Sequence, residues 1–113
     1  MTKKNKRPEV RFAVTRGPSF PEAIALMINC DPIEFECGRK KFMGRLVRCE
    51  PQRGDRGLAD ASFFVLLARP FKTRMYQDRV ITTVWLHYGR DESPSYMVEA
   101  NELDAIAPDV SEV

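Results

Sequence analysis

Ile33-Glu34-Phe35-Glu36-Cys37-Gly38-Arg39-Lys40-Lys41-Phe42-Met43-Gly44-Arg45-Leu46-Val47-Arg48-Cys49 is the stretch that decides the fold. Residues 33–37 alternate apolar and charged side chains, the period-2 pattern of a half-buried strand. Gly38-Arg39 then supplies a two-residue reversal, because glycine accepts the positive φ that a tight hairpin turn demands. The return strand places Phe42, Gly44 and Leu46 on one parity and Val47 and Cys49 on the other. A strand changes its inward parity by inserting an extra residue, so a bulge or sharp bend is predicted between Gly44 and Val47.

Further along, Pro51 to Gly57 is rich in turn formers and reads as an exposed loop. Ala61 to Ala68 is apolar on both parities, which predicts a central strand covered on both sides and stopped by Pro70. Phe71 to Asp78 is a connection. Val80 to Tyr88 is mostly β-branched and aromatic and makes the strongest strand of the chain. Gly89 to Pro94 is a turn before a short last strand, Ser95 to Glu99.

Toward the N-terminus, Val10, Phe12 and Val14 alternate with polar or small residues, which predicts a strand over Val10 to Thr15. Ser19-Phe20-Pro21-Glu22 has the spacing of a capping box with proline inside the first turn, so a helix begins there. The helix body, Ala23 to Ile28, has almost no polar face and is expected to be covered on most sides.

The order of one helix followed by five strands, with a bent second strand, predicts a mainly β (α+β) domain. Over roughly residues 19–99 it is similar to an Sm-like or SH3-like small barrel, on element order and on Gly38 and Gly44. That resemblance implies a strongly curved sheet closing on itself. It implies no family, because the Sm signature of Asp followed by Met-Asn, and of a late Arg-Gly pair, is missing. The alternative is an open antiparallel sheet with the helix packed on one face and Val10 to Thr15 as a sixth strand.

The formal net charge of +2 over 113 residues hides an asymmetry. Residues 1–16 hold six Lys or Arg against Glu9 alone, residues 17–90 hold twelve against eight acids, and residues 91–113 hold seven acids with no Lys or Arg. The domain plan is a flexible basic arm over 1–8, one β-rich domain over 9–99 and an acidic tail over 100–113. No window approaches the roughly 18 apolar residues of a membrane span, and no apolar run follows the basic start, so the expectation is a cytoplasmic protein without a membrane partner.

Catalytic signatures are absent from the pattern. Cys30, Cys37 and Cys49 are odd in number and lack Cys-x-x-Cys spacing, so they read as buried reduced thiols and not as disulfide or zinc positions. His87, the single histidine, would need a cysteine, Asp31 or a serine beside it to form a dyad. No phosphate loop or nucleophile elbow is present. The expectation is a non-enzyme with no cofactor and no metal. Trp85 is expected in the core under the helix; an exposed Trp85 would instead anchor self-association into a homo-oligomer.

What remains is a set of cations interleaved with aromatics. Arg39, Lys40 and Lys41 sit at the hairpin tip and Arg45 and Arg48 on the strand beyond. Arg53 and Arg56 follow in the next loop, and Lys72, Arg74 and Arg79 lie around Tyr76. Such positions can track a phosphate backbone while a ring stacks on a base, so a nucleic acid or nucleoprotein partner is the leading expectation. The alternative is a protein-interaction module, an inhibitor or accessory subunit, docking through a strand edge or the acidic tail.

Overall fold

Alternating apolar positions must bury one face of each strand. In the computed structural model, which describes residues 11–51, 61–73 and 79–100, they do so by curling one sheet around a single core. The elements are β1 (Arg11–Ala13), α1 (Phe20–Ile28), β2 (Pro32–Cys37), β3 (Lys40–Pro51), β4 (Ala61–Thr73), β5 (Arg79–Tyr88) and β6 (Pro94–Glu99). The strands are antiparallel in the order β1-β6-β5-β4-β3-β2 and form a half-barrel. The mainly β, one-helix reading is therefore correct, and the first strand is the sixth member that the open-sheet alternative required. The arm over 1–8 and the tail beyond Ala100 lie outside the described residues.

The curl is visible in contacts between strands that are not neighbours. Phe12 of β1 meets Phe71 of β4 edge to face at 5.5 Å, although β6 and β5 separate them in the sheet. Past β1 the chain leaves β6 and reaches β2, where Arg16 and Glu36 form an antiparallel bridge. One bridge closes the rim there.

Inside the curl, Ile33, Phe35, Leu46, Phe63, Val65, Ile81, Val84, Leu86, Tyr88 and Met97 form the core. The capping box at the start of α1 forms as predicted: Glu22 N–H donates to Ser19 Oγ at 3.3 Å, and Ser19 N–H donates to Glu22 Oε1 at 2.9 Å. The helix is nevertheless not covered on most sides. Only Ala23 is buried, while Phe20, Ile24 and Met27, at three- and four-residue spacing from one another, pack on the core, and Ile28 is 71% exposed. A helix of two and a half turns lying on a sheet offers one stripe for burial, whatever its composition.

Two irregularities bend the long strands. Leu46 pairs with Val65 and Arg48 with Phe64, which leaves Val47 as the extra residue of the predicted bulge. In β4 the register shifts between Leu66 and Phe71, and the strand continues through Pro70 to Thr73. Pro70 therefore does not end the strand as expected: a bulged segment makes no ladder bond there, so a missing N–H costs nothing. The two-residue hairpin turn at Gly38-Arg39 has Gly38 at φ 63° and no positive φ at Arg39, the type II′ pattern.

Gly44 is the tightest point of the sheet. A Cβ there would overlap the Leu66 carbonyl oxygen and meet Val65 Cγ1 at 2.8 Å. Gly44→Ala is expected to lower unfolding stability by about 2 kcal/mol, because backbone on the facing strand must move, and urea denaturation of the two proteins measures it. Cys30 has φ 60° and closes α1 in a Schellman motif, with Asp31 N–H donating to Leu26 O at 2.8 Å and Cys30 N–H to Met27 O at 3.1 Å. Cys30→Gly removes the left-handed penalty. It should stabilise by about 1 kcal/mol and raise Tm by roughly 4 °C in a thermal melt.

Candidate nucleic-acid interface

The hairpin end of the half-barrel carries the main concentration of unpaired charge among the described residues. Gly38 N–H donates to Thr15 Oγ1 at 3.0 Å, and Thr15 N–H and Oγ1 both donate to the Glu36 carbonyl, at 2.8 and 3.2 Å. Thr15 thus clamps the hairpin against the segment following β1 and sets Arg16 beside it. The result is a groove of ≈ 770 Å³ whose walls include Arg16, Lys40, Lys41 and Arg69, with Glu34 and Glu36 between them. Phe35, Phe42 and Phe71 supply its apolar part. Phe35 and Phe42 stack at 5.4 Å, Phe42 meets Phe71 edge to face at 5.1 Å, and Lys40 Nζ lies 4.9 Å over the Phe71 ring. None of the four cations forms an ion pair among the described residues, whereas Arg48 pairs with Glu50 at 2.8 Å.

The outer face of the sheet, turned away from the helix, holds a second arrangement. Register places Arg48, Phe64, Trp85, Val98 and Arg11 in one row across five strands, and Glu50, Ser62, His87, Tyr96 and Ala13 in the next. Phe64 and Trp85 pack at 5.1 Å with the Arg48 guanidinium over both rings, at 5.2 and 5.5 Å. His87 stacks on Tyr96 at 4.7 Å, and Arg11 lies 4.3 Å over Tyr96. Trp85 is thus not under the helix, contrary to expectation. It is half-buried on the opposite face, because its neighbours Val84 and Leu86 take the inward positions.

The predicted site residues divide accordingly. Lys40 and Lys41 enter the groove, Arg39 is exposed in the adjoining turn, and Lys72 is exposed on β4 outside the groove lining. Arg45 and Arg48 belong to the outer face. Arg53, Arg56, Arg74 and Tyr76 lie outside the described residues, and Arg79 begins β5. Sequence reasoning missed Arg16 and Arg69 in the groove and Arg11 on the outer face. Arg16 is brought to the hairpin by a bridge across twenty residues, and Arg69 by a bulge beside Pro70, neither of which leaves a periodic trace.

The histidine and cysteines occupy different faces. Cys37 and Cys49 pack against the core, whereas His87 points outward, so neither thiol can meet it. Cys30 is exposed at the helix end and is not the buried thiol expected. Ser62 Oγ lies 3.1 Å from His87 Nδ1 as a cross-strand bond, with Ser62 buried. Among the described residues no three His, Cys, Asp or Glu side chains gather as a metal site, and no helix is long and apolar enough to cross a membrane. No protein-family model, curated protein or solved structure matches this chain.

Burial moves the Cys37 thiol from its ordinary 9.0 up to about 11. It also raises Cys49, with the Glu50 carboxylate adding to the effect, and the Tyr88 phenol, with Glu22 adding. Each group keeps its proton longer folded than unfolded, so its stabilisation is whole below the unfolded value and is lost as pH rises through the folded one. The urea midpoint should therefore hold to about pH 9 and fall toward pH 11, and Cys37→Ala should make that fall shallower when midpoints are measured at half-unit steps.

Proposed function

We propose that the chain is a small non-catalytic binding protein that holds nucleic acid in the groove at the hairpin end. The observation that carries this reading is the convergence of Arg16, Lys40, Lys41 and Arg69 from three separate segments around the half-buried rings of Phe42 and Phe71 and the buried ring of Phe35. Cations left without carboxylate partners beside an apolar floor match a ligand with alternating phosphates and flat bases. Arg39 in the turn extends the same positive rim.

The strand-edge alternative has less to work with. β2 is the edge nearest the groove, yet the amide and carbonyl of Glu36 are already bonded to Arg16, and Pro32 has no N–H to offer. Few outward backbone groups remain for an added strand.

Reversing Lys40, Lys41 and Arg69 to Glu together should weaken binding to a fluorescent oligonucleotide and flatten its dependence on salt. Each lost single-strand phosphate contact lowers the slope of log affinity against log salt by about 0.7, so a fall of about 2 is expected. Arg90→Glu, in the β5–β6 turn, should leave the slope unchanged. Absence of salt-sensitive binding to any RNA or DNA by the native protein would remove this reading.

A further inference from the structure

The groove does not end at the hairpin. Lys41 and Met43 line it and also stand on the outer face of β3, where Arg45 and then Arg48 follow. Met43 is 44% exposed, Lys41 and Arg45 are exposed, and Leu66, paired with Arg45, is 39% exposed. From Lys41 to Arg48 the strand covers about 20 Å at the usual rise of a β-strand. At its far end lies the Phe64–Trp85 pair with Arg48 over it, and beyond that the His87–Tyr96 stack with Arg11 over it. A basic, partly apolar track thus joins the groove to two pairs of rings.

Several occupants can be compared on physical grounds. A second copy docking face to face would set the basic β3 surface of one protomer near that of the other, where like charges repel. A duplex has its base faces hidden in its own stack and can offer this track only phosphates. A single strand offers both parts at once: phosphates at intervals for the β3 cations, and free base faces for the rings. The Arg48 guanidinium, held by Glu50 at 2.8 Å, already lies over the indole, which shows that the ring face accepts a flat cationic group.

We propose that the ligand is single-stranded nucleic acid, which leaves the groove along the outer face of β3 and stacks a base on Trp85. This rests on the nucleic-acid reading of the groove and adds to it the ligand's strandedness and a second contact surface. Trp85 is the single tryptophan of the chain, so its emission reports on this site alone.

The test titrates the full chain at low salt with a twelve-nucleotide oligo-uridine, the matching oligo-thymidine and a blunt duplex of the same length. Both emission and anisotropy of an end-labelled strand are followed. Single strands should quench Trp85 as they bind, and the duplex should not. Trp85→Leu should weaken single-strand binding roughly 5- to 150-fold, the range for loss of one base–aromatic stack, and Trp85→Phe should restore most of it. Preference for the uridine strand or for the thymidine strand would each support the proposal and identify the natural sugar. If Trp85→Leu fails to fold, quenching of the native protein by the single strands and not by the duplex decides the matter. Single-strand binding that depends on the groove cations but leaves Trp85 emission unchanged would overturn the stacking proposal and spare the groove reading. Equal quenching by duplex would overturn single-strand selectivity. No binding by any oligonucleotide would overturn the groove reading itself.

Discussion

The contact between β3 and β4 at Gly44 constrains everything else in the molecule. The two backbones approach until only a hydrogen fits between Gly44 and the Leu66 carbonyl, and this lets the sheet turn sharply at its middle. The bulge at Val47 and the irregular segment between Leu66 and Phe71 flank that point on the two strands. Bulges increase local twist, and two of them on paired strands add their bends. Through that bend β1 comes round to face β4, so Phe12 reaches Phe71 and Arg16 reaches Glu36. The groove exists because of this return: a flat sheet of the same strands would leave Arg16 far from Lys40.

The two ends of the interior are filled by different aromatic clusters. At the hairpin end Phe35, Phe42, Phe71 and Phe12 form a chain of ring contacts. At the helix end Phe20, Phe63 and Tyr88 are mutually packed, and Tyr88 Oη donates to the Pro18 carbonyl at 2.7 Å, which fixes the helix start on β5. Aromatic pairs of this kind add about 1 kcal/mol each beyond their buried area. These rings occupy the two ends of the interior among the described residues. The rim carries Arg16, Lys40, Lys41 and Arg69, and the outer face carries the half-buried Trp85 and Tyr96 rings.

How far the sequence disclosed this depended on the range of each interaction. The capping box at Ser19, the turn at Gly38-Arg39 and the bulge before Cys49 are decided by residues within a few positions of one another, and all three could be read. The face of Trp85 could not, because Val84, Trp85 and Leu86 are all apolar and period-2 reasoning fails when both faces of a strand are covered. Pro70 looked like a stop because proline cannot join a ladder, and no local signal said that the ladder lapses there. The helix looked like a plug because composition counts apolar residues without saying how many a neighbouring sheet can reach. Of the interface, Lys40 and Lys41 were legible as a charged hairpin, while Arg16 and Arg69 depended on closure of the sheet.

The Val47 bulge links the fold to the proposed binding track. Arg45 and Arg48 are three residues apart, and in a regular strand an odd spacing puts them on opposite faces. The inserted Val47 restores them to one face, so Arg45 stands opposite Leu66 and Arg48 opposite Phe64. The same insertion turns Cys49 inward, against Phe63, instead of leaving a thiol on the outer face and an arginine in the core. A buried guanidinium without a partner would cost several kcal/mol, so the irregularity is required by this order of residues. The bend that curls the sheet into a half-barrel thus also sorts the cations of β3 onto its outer surface.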